Sequence, residues 1–196
     1  MVIIATIEPE KLEISCNFKY KYKEYFVYQY NQNDHYVHLT NTINIKIWLD
    51  SVRNFIDQDE DRFLFIGKGR EAGENKHAGC IATGHVNLSG INPLIGPNAD
   101  QYGPRFFDVG DLYSVEMRNN LFKKNDDFTR GNILIPASME ELSELEKEVL
   151  NLENIKISGL TKDIFGGAIA AKQAKAKSAG LLLFQDEYDL PKIVNI

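Results

Sequence analysis

The chain opens on an unbroken apolar run, Val2-Ile3-Ile4-Ala5-Thr6, of the kind that forms a buried strand. From Phe18 to His38, aromatic and β-branched residues recur in rough alternation, as in Tyr25-Phe26-Val27-Tyr28, and predict a pair of strands. The spacing turns helical at Ile43, Ile45, Ile47, Trp48, Val52 and Phe55, so a helix packed on the sheet is expected there. Asp57 to Asp61 forms a solvated acidic turn. Arg62-Phe63-Leu64-Phe65-Ile66 is then continuous enough for a central strand, closed by Gly67-Lys68-Gly69, and Cys80-Ile81-Ala82-Thr83 gives the next.

Beyond residue 108, Val115 to Phe122 reads as a helix and Asn125 to Thr129 as a polar turn. Ile133-Leu134-Ile135 is another buried strand, stopped by Pro136. Ser138-Met139-Glu140-Glu141 has the form of a capping box, with Ser138 as N-cap. It predicts a helix to about Leu152, with Leu142, Leu145, Val149 and Leu152 on one face. Ile155 to Ile157 is a short strand, Gly166 to Ser178 an Ala-rich helix and Gly180 to Phe184 a final strand. Strands alternating with helices predict an α/β fold, three-layer, with a mixed central sheet flanked by helices in a single domain over 1–196.

Composition narrows the class without naming it. With 196 residues, 43% hydrophobic and 26% charged, the chain can bury a sizeable core and is neither disordered nor fibrous. The formal net charge of −6 gives no global attraction to nucleic acid. Cys16 and Cys80 read as free thiols in a reducing compartment. No apolar run reaches membrane-spanning length and the start carries no basic leader, so a cytoplasmic protein is expected. His35, His38 and His77 have no metal-ligand spacing, and Gly67-Lys68-Gly69 lacks the spacing of a P-loop.

The densest signal is Gly84-His85-Val86-Asn87-Leu88-Ser89-Gly90-Ile91-Asn92-Pro93-Leu94-Ile95-Gly96-Pro97-Asn98, followed by Gly103-Pro104-Arg105-Phe106-Phe107-Asp108. Proline fixes φ, glycine permits positive φ and asparagine bonds its own backbone, so this is a loop with a specified shape and no long strand or helix. Loops that hold a shape often carry function. The stretch resembles the signature of the purine nucleoside phosphorylase family, in which D-H-I-N-L is followed by N-P-L-x-G-P-N and then G-x-R-F.

That resemblance implies site residues. The family's G-P-x-F-E-T segment corresponds to Pro136-Ala137-Ser138-Met139-Glu140, which places Glu140 on the base-binding glutamate and Met139 on the aromatic beside it. The family's last core strand ends in Asn or Asp at the position of Asp186, where an acid or amide stabilises charge moving onto the purine during glycosidic cleavage. Phe106 resembles the phenylalanine that, in trimeric relatives, covers the sugar in a neighbouring subunit, so a trimer is implied. His85 lies in the motif and is expected to be structural.

The family's phosphate equipment has weaker counterparts. Its Gly-rich loop after the first strand is replaced by Thr6-Ile7-Glu8-Pro9-Glu10, which has no glycine and brings two carboxylates. Its Arg/His segment corresponds to Tyr30-Asn31-Gln32-Asn33-Asp34-His35-Tyr36, without arginine. Its T-N-A-A-G-G turn corresponds to Ile66-Gly67-Lys68-Gly69-Arg70-Glu71, and its phosphate-binding serine falls near Leu160 or Thr161. The chain also ends soon after Asp186, where the family continues into a long helix.

Two readings from different classes follow. One is a degenerate phosphorylase-like protein, impaired in catalysis, that keeps a purine nucleoside or nucleotide pocket and serves as a binding or interaction factor for a protein, an RNA or a ribonucleoprotein. Lys172, Lys175 and Lys177, read as the exposed face of the Ala-rich helix, would with Lys68, Arg70 and Lys76 supply a basic patch in that case. The other is an active phosphorylase or nucleosidase. Neither needs a cofactor; an active phosphorylase would use phosphate as co-substrate.

Overall fold

The computed structural model describes residues 1–13, 15–22, 24–30, 34–40, 44–73, 76–123 and 126–185. Among the described residues, ten strands form one mixed sheet. In chain order they are β1 (Val2–Ala5), β2 (Asn17–Tyr22), β3 (Tyr25–Gln29), β4 (His35–Leu39), β5 (Arg62–Lys68), β6 (Arg70–Glu71), β7 (Gly79–Asn87), β8 (Phe128–Ile135), β9 (Ile157–Leu160) and β10 (Lys177–Leu183). Their spatial order is β2-β3-β4-β1-β5-β10-β7-β8-β9-β6. The centre, β4-β1-β5-β10, is parallel; the β2-β3-β4 hairpins, the β10-β7 pair and the β6 edge are antiparallel.

Alternation along the central strands divides the interior into two layers. Val2, Ile4, Phe63 and Phe65 face the helices α1 (Ile45–Ile56) and α4 (Phe165–Gln173), whose Trp48, Val52, Phe55, Ala168 and Ala171 complete one core. Ile3, Ala5, Leu64 and Ile66 face the other way, onto Met117 and Leu121 of α2 (Val115–Phe122) and onto Leu12 of a 3-10 turn, Pro9–Leu12. Period-2 side-chain direction thus turns one apolar run into a strand buried on both faces. The result is the expected three-layer α/β arrangement.

Several boundaries differ from the sequence expectation, each for a local reason. Residues 18–38 hold three strands in place of a pair. β7 runs on through Asn87 and takes in the start of the signature loop, paired in parallel with β8. β8 begins at Phe128, inside the expected polar turn. The capping box lies five residues downstream of Ser138: Ser143 caps α3 (Glu144–Leu150), and the Glu146 carboxylate accepts from the Ser143 N–H. Lys175, at φ 61, stops the Ala-rich helix early, and β10 starts at Lys177.

Candidate functional site

A cavity of about 550 Å3 lies where the carboxyl ends of four strands converge. Lys68 ends β5, Gly69 follows it and Arg70 opens β6; after β7 come Ser89 and Ile91; Ile135 ends β8 and Met139 follows it; after β9 come Lys162, Asp163 and Phe165. The crevice beyond strand carboxyl ends is the general ligand position of α/β sheets. Ile91, Ile135, Met139 and Phe165 make one end apolar. A hollow of about 330 Å3 adjoins it across Lys68, lined by Thr6, Glu8, Lys11, His38 and Thr40.

The signature loop has the built shape that its composition predicts. Asn87 accepts from the Ser89 N–H (3.0 Å) and donates to the Ile91 carbonyl (2.8 Å), and Asn92 accepts from the Leu94 N–H (2.8 Å). Asn98 donates to Asp100 and to the Gly103 carbonyl, and Arg105 donates to the Gly96 carbonyl. Gly103 sits at φ 123 against the Gln173 carbonyl, where a Cβ would come within 2.3 Å, so no other residue fits. Gln173 is buried at the end of α4; its amide donates to Asn98 Oδ1 (3.1 Å) and accepts from Arg53 (3.2 Å). Sequence reading did not single out Gln173, because its partners Asn98 and Arg53 lie 75 and 120 residues away and leave no local pattern.

The polar end of the cavity is held by Asp163, which the sequence reading also missed. Its Oδ2 accepts from the Thr6 hydroxyl (2.8 Å) and from the Lys68 N–H (3.1 Å). The Asp163 N–H donates to Thr161 Oγ1 (2.9 Å), and the Thr161 hydroxyl donates to the Lys68 carbonyl (2.6 Å). Asp163 is 8% exposed and Thr161 fully buried. Burial raises the Asp163 carboxyl above its ordinary range, against the opposing pull of the Thr6 and Lys68 hydrogen bonds. Gly67 makes this approach feasible, since a Cβ there would lie 2.5 Å from Asp163 Cβ. The carboxylates expected here, Glu8 and Glu10, are exposed instead, and Glu8 pairs with Lys11 at 3.4 Å.

The residues singled out from sequence scatter. Met139 lines the cavity; Glu140 is exposed, is not among the lining residues, and its N–H is held by Ser138 Oγ at 3.2 Å. Phe106 is 88% exposed and is not among the lining residues of the cavity. Asp186 lies outside the described residues. His85 stands behind the apolar wall, edge-on to Phe165 and Tyr113 at 6.1 and 6.3 Å between ring centroids. Burial lowers its pKa to about 4, so its ring is neutral. Lys172 is paired with Asp111 and Lys177 with Glu116, and Lys68 and Arg70 line the cavity. Among the described residues no helix is long and apolar enough to cross a membrane, and no cluster of three metal-ligating side chains occurs.

No protein-family model matches the sequence. A stretch of 43 residues is 49% identical to the purine nucleoside phosphorylase of Saccharomyces cerevisiae, spanning 20% of this chain and only 14% of that relative. The whole fold finds a wider likeness. A Schistosoma mansoni purine nucleoside phosphorylase in complex with adenosine superimposes with a TM-score of 0.76 at 12% identity, over 96% of this chain and 77% of the other. Isoform 2 of the same organism's enzyme, in complex with cytosine and ribose-1-phosphate, gives 0.71 at 15% identity, over 97% and 78%. The chain has the purine nucleoside phosphorylase fold, carried by a sequence that has diverged almost everywhere outside short stretches.

Proposed function

We propose that the chain is a purine-nucleoside-binding protein on a phosphorylase fold, in which phosphorolysis has been lost. The observation that carries the reading is the cavity: about 550 Å3, apolar at the end formed by Ile135, Met139 and Phe165, and edged by the signature loop at Ser89 and Ile91. A preformed, mostly apolar hollow of that size with a few polar groups suits a small aromatic ligand. Solved proteins of this fold hold adenosine, hypoxanthine or ribose-1-phosphate. Loss of phosphorolysis is supported at β1, whose end runs through Thr6-Ile7-Glu8 into a proline-led 3-10 turn that has no glycine and carries the exposed carboxylates of Glu8 and Glu10.

The second reading, an active phosphorylase or nucleosidase, draws on the hydrogen-bonded signature loop and on Met139 in the cavity wall. Calorimetric titration of the protein with adenosine and inosine tests binding. Saturable heat, weakened in Met139→Ala, supports the nucleoside pocket; no heat with either ligand removes it.

A further inference from the structure

We propose that Asp163 is a built-in anion and the specificity-determining residue of the site: its carboxylate fills the place of an anionic co-substrate and excludes inorganic phosphate, while the cavity beside it stays open. This rests on the nucleoside reading of that cavity.

An anion docking beyond the ends of strands needs hydroxyl and backbone N–H donors pointed at one place. Here two such donors, the Thr6 hydroxyl after β1 and the Lys68 N–H at the end of β5, converge on one oxygen, Asp163 Oδ2, from 157 and 95 residues away. The third group, the Thr161 hydroxyl, is also engaged, accepting the Asp163 N–H and donating to the Lys68 carbonyl. An aspartate just ahead of a helix normally caps it. Asp163 does not: α4 has no side-chain cap, and the carboxylate turns to the strand ends. The backbone is shaped around this choice. Gly67 gives up its Cβ to the aspartate, and Ile164 holds φ 59, a left-handed conformation that a β-branched residue adopts only under constraint.

With the donors engaged, an incoming phosphate meets a negative charge instead of a cradle. Two unit charges about 4 Å apart, at the screening typical near a protein surface, weaken binding by about a thousandfold. Asp163 is therefore more than an absent binding group; it is a ligand already in place.

The test is titration of the full chain with inorganic phosphate, by calorimetry and thermal shift, for the wild type, Asp163→Asn and Asp163→Gly. The wild type is expected to show no saturable response up to on the order of 10 mM phosphate. Asp163→Gly, which removes both charge and volume, is expected to bind at least about tenfold more tightly than the wild type, and Asp163→Asn to gain less. Phosphate binding by the wild type equal to that of Asp163→Gly overturns the proposal, as does a folded pair of variants that both fail to bind. Should Asp163→Gly not fold, Asp163→Asn alone decides, and no gain over the wild type overturns it. Adenosine titrated into the wild type separates the two readings: no adenosine binding sinks the nucleoside pocket, while a phosphate gain in the variants still upholds the anion assignment.

Discussion

At the apolar end of the cavity, Ile91, Ile135, Met139 and Phe165 leave open space between them, whereas at the polar end Thr6, Lys68, Thr161 and Asp163 close on one another. The contrast follows from the forces involved. Apolar walls act without direction, so a hollow survives when one large side chain replaces another. A polar site acts through donors left unmatched, and a single well-placed carboxylate can match them. An apolar cavity of this kind is thus more tolerant of sequence change than a polar corner, where one carboxylate is enough to engage the donors.

Acid should separate the two ends most strongly, because their titratable groups respond in opposite senses. His85, packed behind Phe165, has its pKa lowered by burial from 6.5 to about 4. The unfolded chain binds the proton first, so the stability that neutral His85 contributes is present above pH 6.5 and is lost as pH falls toward 4, by about 3 kcal/mol. Urea unfolding across that range checks it, and His85→Leu should flatten the slope. Asp163 has a raised carboxyl, so its ionisation opposes folding, and the stability it contributes in the neutral form is lost as pH rises through its folded pKa. Asp163→Asn should accordingly gain stability at neutral pH, with the gain shrinking on acidification.

Gly67→Ala strikes the polar end directly. The new methyl would meet Asp163 Cβ at 2.5 Å and Ile164 Cγ2 at 2.9 Å, and overpacking of this kind costs about 2–3 kcal/mol. Denaturant unfolding measures the loss, and pairing with Asp163→Gly should recover part of it. Full additivity of the two changes would show that Gly67 is not shaped by the carboxylate.

Gln173→Leu should detach the signature loop from α4 at a cost of about 2 kcal/mol, because the Asn98 side chain and the Arg53 guanidinium lose their buried partner. Faster amide exchange across 96–105 would accompany it. A silent Gln173→Leu would mean that the loop holds its shape through its own asparagines. Met139→Ala should weaken nucleoside binding by about 1 kcal/mol without affecting phosphate, which confines its role to the apolar end.

The parts of this molecule that were legible in the sequence are those whose causes are local. The runs Val2–Ala5 and Arg62–Ile66, the helix at Val115–Phe122 and the turn chemistry of residues 84–108 all signal through neighbours in the chain. The capping box was ambiguous because Ser138 with Glu141 and Ser143 with Glu146 fit the same spacing. Tertiary structure chose Ser143, since the Glu146 carboxylate also accepts the Ala137 N–H and is buried there. Asp163 and Gln173 were illegible for the opposite reason. Each looks ordinary beside its neighbours and takes its meaning from residues 70 or more positions away.

The most direct test of the central claim is incubation of the protein with inosine, adenosine and methylthioadenosine, with and without phosphate, following free base. The expected result is nucleoside binding with no base release that depends on phosphate. Phosphate-dependent release by the wild type would contradict it, because the anion corner would then be open despite the carboxylate of Asp163.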